Sequence, residues 1–159
     1  MSAAPVVVAR VHTGGSSADS WQASRHAMLQ HECVRWLQWP EAAGVLARLL
    51  VLHCRVETGA GRHEDNFNLG NRRRFATSGG FAFERSGYLW AAYSSLREGA
   101  TGYLETILGN TRRRAACLDF VSDLDAERWY RRIIATEYGG DESAVTALLA
   151  LWRAETDRA

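Results

Sequence analysis

The chain has 159 residues, 19 basic and 18 acidic side chains and a formal charge of +1, and every basic residue is arginine. That length favours one domain able to bury a core without disulfides or metals, and a composition of 47% hydrophobic residues with two prolines excludes a disordered tail. Balanced charge argues against a dedicated nucleic-acid binder, which carries a basic excess.

In chain order, residues 1–18 read as a flexible lead-in, because Thr13-Gly14-Gly15-Ser16-Ser17 offers little to pack. Residues 19–159 read as a single domain. From Ser20 apolar residues recur at helical spacing through Trp21, Met28, Val34 and Leu37, and Pro40 ends that helix. The next helix, Glu41 to Thr58, is apolar almost all round, which suits the centre of a bundle. Gly59 and Gly61 stop it, and Glu57 falls in its last turn, where the helix dipole disfavours an ionised carboxylate.

Between Gly59 and Gly87 the chain becomes glycine-rich. Phe81-Ala82-Phe83 and Tyr88-Leu89-Trp90 then flank a turn at Ser86-Gly87, which predicts a hairpin. Ser95-Leu96-Arg97-Glu98 has capping-box spacing. Amphipathic segments follow at about 96–108, 112–120, 125–138 and 142–154, separated by Gly109, Gly139-Gly140 and Asp141. The expected class is α+β, mostly helical, with a small β-hairpin lobe inserted after a buried helix.

Cys33, Cys54 and Cys117 are odd in number and widely spaced, which fits reduced thiols. No metal or other cofactor is expected, since His26, His31 and Cys33 lack a fourth ligand at a workable spacing, and His53-Cys54 reads as core packing. The first 20 residues lack a signal-peptide core, and the longest apolar stretch, Ala42 to Val56, is broken by Arg48, His53 and Arg55. Synthesis in the cytoplasm with no membrane span is the expectation.

A glutamate ending a buried helix, with a β lobe as the facing wall, suits glycosidic bond cleavage. That reaction needs a carboxylic acid able to give its proton to the leaving oxygen. Glu57-Thr58-Gly59-Ala60-Gly61 followed by Asn66-Phe67-Asn68-Leu69-Gly70-Asn71 resembles the signature of the peptidoglycan glucosaminidases of glycoside hydrolase family 73. Trp90-Ala91-Ala92-Tyr93-Ser94-Ser95 with Glu98, Tyr103 and Leu104 is similar to that family's Phe-x-x-Tyr-x-Ser block, and Trp129-Tyr130-Arg131-Arg132-Ile133 to its later Tyr-Ala-x-Lys-Ile segment. The matches run in family order over roughly Val45 to Ile134.

The resemblance implies a lysozyme-like fold with Glu57 as general acid and cleavage of the β-1,4 bonds of the bacterial cell-wall glycan. It places an assisting carboxylate in the β lobe, where Glu84 is the acidic residue, with Glu64 and Asp65 in reserve. Phe67, Asn68, Trp90, Tyr93 and Tyr130 are the implied sugar-binding residues. One departure is Phe120, which stands where the family often has a tyrosine lining the site. A muramidase or lytic transglycosylase on the same fold, or a non-catalytic wall-binding module of a phage or secretion assembly, are the alternatives. Peptidoglycan is the expected partner, with no nucleic acid. Without a signal peptide, delivery to the wall falls to a phage, flagellar or secretion apparatus. Arg62, Arg72, Arg73, Arg74 and Arg85 share the glycine-rich segment and would face an anionic wall polymer if that segment lines the cleft.

Overall fold

A computed structural model describes residues 3–74 and 79–158. Two long helices come first, α1 (Ala18–Leu37) and α2 (Pro40–Thr58). The Ser17 side chain accepts the Ser20 N–H to start α1, and Gln38 ends it in the left-handed region at φ 53°. Pro40 opens α2, where its missing N–H costs nothing and its fixed φ is already helical. Gly59, at φ 59°, closes α2 by donating its N–H to the Arg55 carbonyl.

The apolar sequence of α2 does what its pattern predicts. Leu46, Leu49, Leu50, Leu52 and Cys54 are fully buried, and the helix packs against α1, α4 (Thr111–Asp123) and α6 (Glu142–Thr156). The remaining helices, α3 (Leu96–Leu108) and α5 (Ala126–Ile134), complete the helical body. Like α1, the last four helices begin on side-chain caps: Ser95 for α3, Asn110 for α4, Asp125 for α5 and Asp141 for α6. The Ser95 cap is half of the expected capping box, because Glu98 Oε2 reaches back to the N–H of Ser94 instead of Ser95.

The predicted hairpin is β2 (Phe81–Arg85) paired antiparallel with β3 (Tyr88–Ala91). Ser86 (φ 53°) and Gly87 (φ 76°) both have positive φ, the requirement of a type I′ turn, whose twist matches the strands. A third strand, β1 (Val6–Val7), adds parallel to β2 with Val6 opposite Phe81. The segment expected as a flexible lead-in is therefore tied down across its described part. His12 bridges Asp65, the Thr13 N–H donates to the Glu64 carbonyl, and the Val11 N–H donates to Asn66 Oδ1. These partners lie more than 50 residues away, so no local pattern could announce them. The class is α+β and mostly helical, with a small three-stranded sheet.

Between α2 and the sheet the loop is held from within. Glu64 is fully buried and accepts from Arg25 Nε (3.0 Å), Trp21 Nε1 (2.6 Å) and Thr13 Oγ1 (2.9 Å), with a second guanidinium contact from Arg25 Nη2. Asp65 is nearly as deep and pairs with Arg10 and Arg85. Asn68 closes the next turn, donating to the Arg72 carbonyl and accepting the Arg72 N–H.

Gly99, in the first turn of α3, seats that helix against the loop: a Cβ there would meet the Phe67 carbonyl oxygen well inside contact distance. Gly99→Ala gains up to about 1 kcal/mol of helix propensity, but overpacking against backbone costs about 1–3 kcal/mol. The expected net result is a loss of stability of about 1–2 kcal/mol in urea denaturation; an unchanged or raised midpoint would show that the loop yields freely.

Candidate functional site

Glu57 sits in the last turn of α2, where the helix runs out beneath an open cleft of about 490 Å³. One wall is the loop of Gly70, Asn71, Arg72 and Arg73 together with Trp90 of β3. Thr106, Arg113, Glu137 and Tyr138, from α3, α4 and the α5–α6 connection, form the other. The carboxylate is mostly covered, its side chain 21% exposed. Tyr130 O–H donates to Glu57 Oε1 at 3.3 Å.

His53, one helical turn earlier, is completely buried, with Nε2 3.3 Å from the same Oε1. Its ring is boxed by Tyr103, Trp129, Tyr130 and Tyr138, at centroid distances of 5.9, 5.3, 5.0 and 5.2 Å. Nδ1 meets the Tyr103 hydroxyl at 2.7 Å.

Three phenols thus surround the Glu57–His53 pair. Burial raises the pKa of each, most strongly for Tyr103 and Tyr138, and the charge of Glu57 adds to the rise at Tyr130 and Tyr138. They therefore remain O–H donors at neutral pH, supplying hydrogen bonds without charge. Tyr138 also donates to the Gly70 carbonyl at 3.3 Å, linking the two walls. Arg113 lines the cleft but is committed to the fold, donating to Thr106 O, Thr136 O and Thr136 Oγ1.

The expected site residues are distributed unequally. Glu57 and Trp90 line the cleft, and Tyr130, itself fully buried, reaches it only through its hydroxyl on Glu57. Trp90 is held by its Nε1–H on the Arg85 carbonyl (3.0 Å), with the Arg85 guanidinium 4.1 Å from the ring centroid. Glu84 does not join them. It pairs with Leu89, one residue out of step with the Phe83–Trp90 pair, and so projects exposed from the opposite face of the hairpin.

Glu64 and Asp65, the reserve carboxylates, are spent in buried ion pairs. Phe67 and Asn68 belong to the loop's scaffold, Phe67 at φ 54° with its N–H on Thr13 Oγ1 and Asn68 in the turn described above. Tyr93 lines a separate hollow of about 440 Å³ with Asn66, Phe81 and Glu98.

Of the arginines expected to face a wall polymer, Arg72 and Arg73 line the cleft. Arg85 turns inward to Asp65, Asn71 and the His63 carbonyl, and Arg62 folds back onto the Gly59 carbonyl. Phe120 is buried against Trp152, and Tyr138 lines the cleft.

Sequence reasoning assigned His53 to core packing and passed over Glu137 and Tyr138. His53 had a local signal, its i,i+4 spacing to Glu57 on one helix. Tyr138 and Glu137 had none, since only the α5–α6 connection brings them over the end of α2. Glu137 holds a positive φ of 65° at the cleft edge, a conformation that favours glycine and that folded chains keep where structure demands it.

All three cysteines are buried, and burial pushes the Cys33 and Cys117 thiols up to about 12, so none is an activated nucleophile. Among the described residues no three of His, Cys, Asp or Glu converge as a metal site would require, and no helix is long and apolar enough to cross a membrane. Compared with protein-family models, with curated proteins and with solved structures, the chain matches none.

Proposed function

We propose that the protein is a peptidoglycan hydrolase that cleaves β-1,4 glycosidic bonds of the cell-wall glycan, of the N-acetylglucosaminidase type, with Glu57 as general acid. The observation that carries this reading is a mostly covered carboxylate at the end of a buried helix, at the base of an open cleft between helices and a small sheet. Such a group can be presented to one bond of an extended polymer while the cleft accepts sugars on either side. The family resemblance around Glu57, and the succession of buried helix, glycine-rich loop and hairpin, support a lysozyme-like arrangement.

In the mechanism that follows, Glu57 gives its proton to the glycosidic oxygen as the bond to the anomeric carbon breaks. Tyr130 O–H then stabilises the carboxylate formed, because hydrogen bonds to an ionised acceptor are the stronger ones. Trp90 offers a ring face for a sugar, and Arg72 and Arg73 offer guanidinium groups to anionic parts of the strand. Glu137 is the other carboxylate of the cleft and takes the place expected for Glu84 in guiding water to the anomeric carbon. In that role the protein acts on the bacterial cell wall.

The test is mass spectrometry of muropeptides released from purified sacculi. N-acetylglucosamine reducing ends are expected. Muramic acid ends would assign a muramidase, and 1,6-anhydro ends a lytic transglycosylase. Glycan binding with no released product would replace the enzyme reading by a binding module.

A further inference from the structure

We infer that His53 is a positioning residue for the acid: it holds its ring proton on Nε2 and presents it to the Glu57 carboxylate that forms when the acid gives up its proton. The inference rests on the reading of Glu57 as general acid and assigns a neighbour's part in that chemistry.

Geometry carries it. His53 is buried on every side, yet its Nε2 makes no hydrogen bond and stops 3.3 Å from Glu57 Oε1. Leaving a buried ring nitrogen unpaired is unfavourable, and a small rotation of the carboxylate would complete the bond. Contacts of this kind often tighten only as charge develops on the acceptor.

On its far side the ring is fixed. Nδ1 lies 2.7 Å from the hydroxyl of Tyr103, which burial keeps as an O–H donor. In the proposed pairing the Tyr103 hydroxyl donates to Nδ1, which makes that nitrogen the acceptor and leaves the ring proton on Nε2, facing Glu57. The proposed arrangement is a line, Tyr103 O–H to Nδ1 (2.7 Å) and Nε2–H towards Oε1 (3.3 Å), with Tyr130 O–H reaching the same oxygen from α5.

Titratable and charged groups approach the pair from each packed element. They are Cys54 on α2, Tyr103 on α3, Tyr130 on α5 and Glu137 and Tyr138 before α6, with Arg72, Arg73 and Arg113 across the cleft. The phenols and the thiol are all held protonated by burial, so each faces the Glu57–His53 pair without charge. The step balances: Glu57 loses its proton to the leaving oxygen, His53 donates a hydrogen bond without transferring its proton, and a water later returns a proton to Glu57 while its hydroxyl joins the anomeric carbon.

The test has two arms. In full-length protein with 15N-labelled histidine, NMR is expected to find His53 as the Nε2–H tautomer. Its ring signals should respond to one titration that disappears in Glu57→Gln, and Tyr103→Phe should weaken the tautomer preference. A His53 protonated on Nδ1, or one indifferent to Glu57→Gln, overturns the inference whether or not the wild type cleaves glycan.

The kinetic arm uses His53→Leu and His53→Gln. Loss of the donor is expected to lower kcat about tenfold with KM unchanged, from the strength of a hydrogen bond to a charged group. Because a donor favours the ionised acid, its removal moves the alkaline limb of the kcat–pH profile to higher pH. His53→Gln, whose amide N–H can replace the donor, should recover most of kcat and the original limb. A fall in active fraction with an unmoved pH profile in both variants would mark His53 as packing alone.

Discussion

Replacing Glu57 by glutamine is expected to lower kcat on glycan strands by about 10²–10⁴-fold, the usual contribution of a positioned general acid. Glutamine keeps the volume of the side chain and an oxygen for Tyr130 O–H, so the thermal midpoint should stay close to wild type. Binding should also survive, because the walls of the cleft, including Trp90, Arg72 and Arg73, are untouched. KM therefore changes little while kcat collapses, the signature of a group that acts in the transition state. Undiminished kcat in Glu57→Gln would remove Glu57 from the chemistry. By contrast, Glu84→Gln is expected to leave turnover intact, since Glu84 projects from the face of the hairpin turned away from Trp90.

The largest expected effect on stability is at Arg25. Its guanidinium binds Glu64 through two nitrogens and also reaches the Thr13 carbonyl, with Arg25 8% exposed and Glu64 not at all. Arg25→Met leaves a buried carboxylate without its countercharge, and breaking a buried pair in this way costs about 3–5 kcal/mol. For a domain of this size that corresponds to a fall in Tm of about 6–20 °C.

Arg25→Met combined with Glu64→Leu should recover part of the loss, because an apolar pair replaces the stranded charge. Recovery stays incomplete: Trp21 Nε1–H and Thr13 Oγ1–H also bind that carboxylate and would be left without it. A loss below about 1 kcal/mol in Arg25→Met would mean that the pair behaves as an exposed one. The measurement is thermal or urea unfolding of the two variants beside wild type.

The pieces of this fold that were legible in the sequence are those whose cause is local. Pro40 and Gly59 bracket α2 because each fixes the backbone where it stands, and Ser86-Gly87 specifies its turn through two positive φ values. Ser95 starts α3 by capping the residue three ahead. Glu57 was legible for a similar reason, lying at the end of an apolar helix stopped by glycine.

What stayed hidden depends on register or on contacts distant in the chain. Glu84 and Trp90 lie in one short hairpin, and only the pairing shows that they face opposite ways. Glu64 and Asp65 read as free loop acids until Arg25, Trp21 and Arg10 arrive from 39 to 55 residues away. Residues 5–13 look unstructured because their order comes from β2 and the Glu64 loop, with no pattern of their own. The Arg85 guanidinium, expected to face an anionic wall polymer, is instead drawn inward by Asp65.

Digestion of purified sacculi in 18O-enriched water, with wild type and Glu57→Gln side by side, tests the central claim most directly. The expected result is one 18O at each new reducing end in wild-type digests and none above background with Glu57→Gln. Equal labelling by both proteins, or intact sacculi with wild type at all pH values, would contradict the assignment of Glu57 as the acid of a glycan-cleaving site.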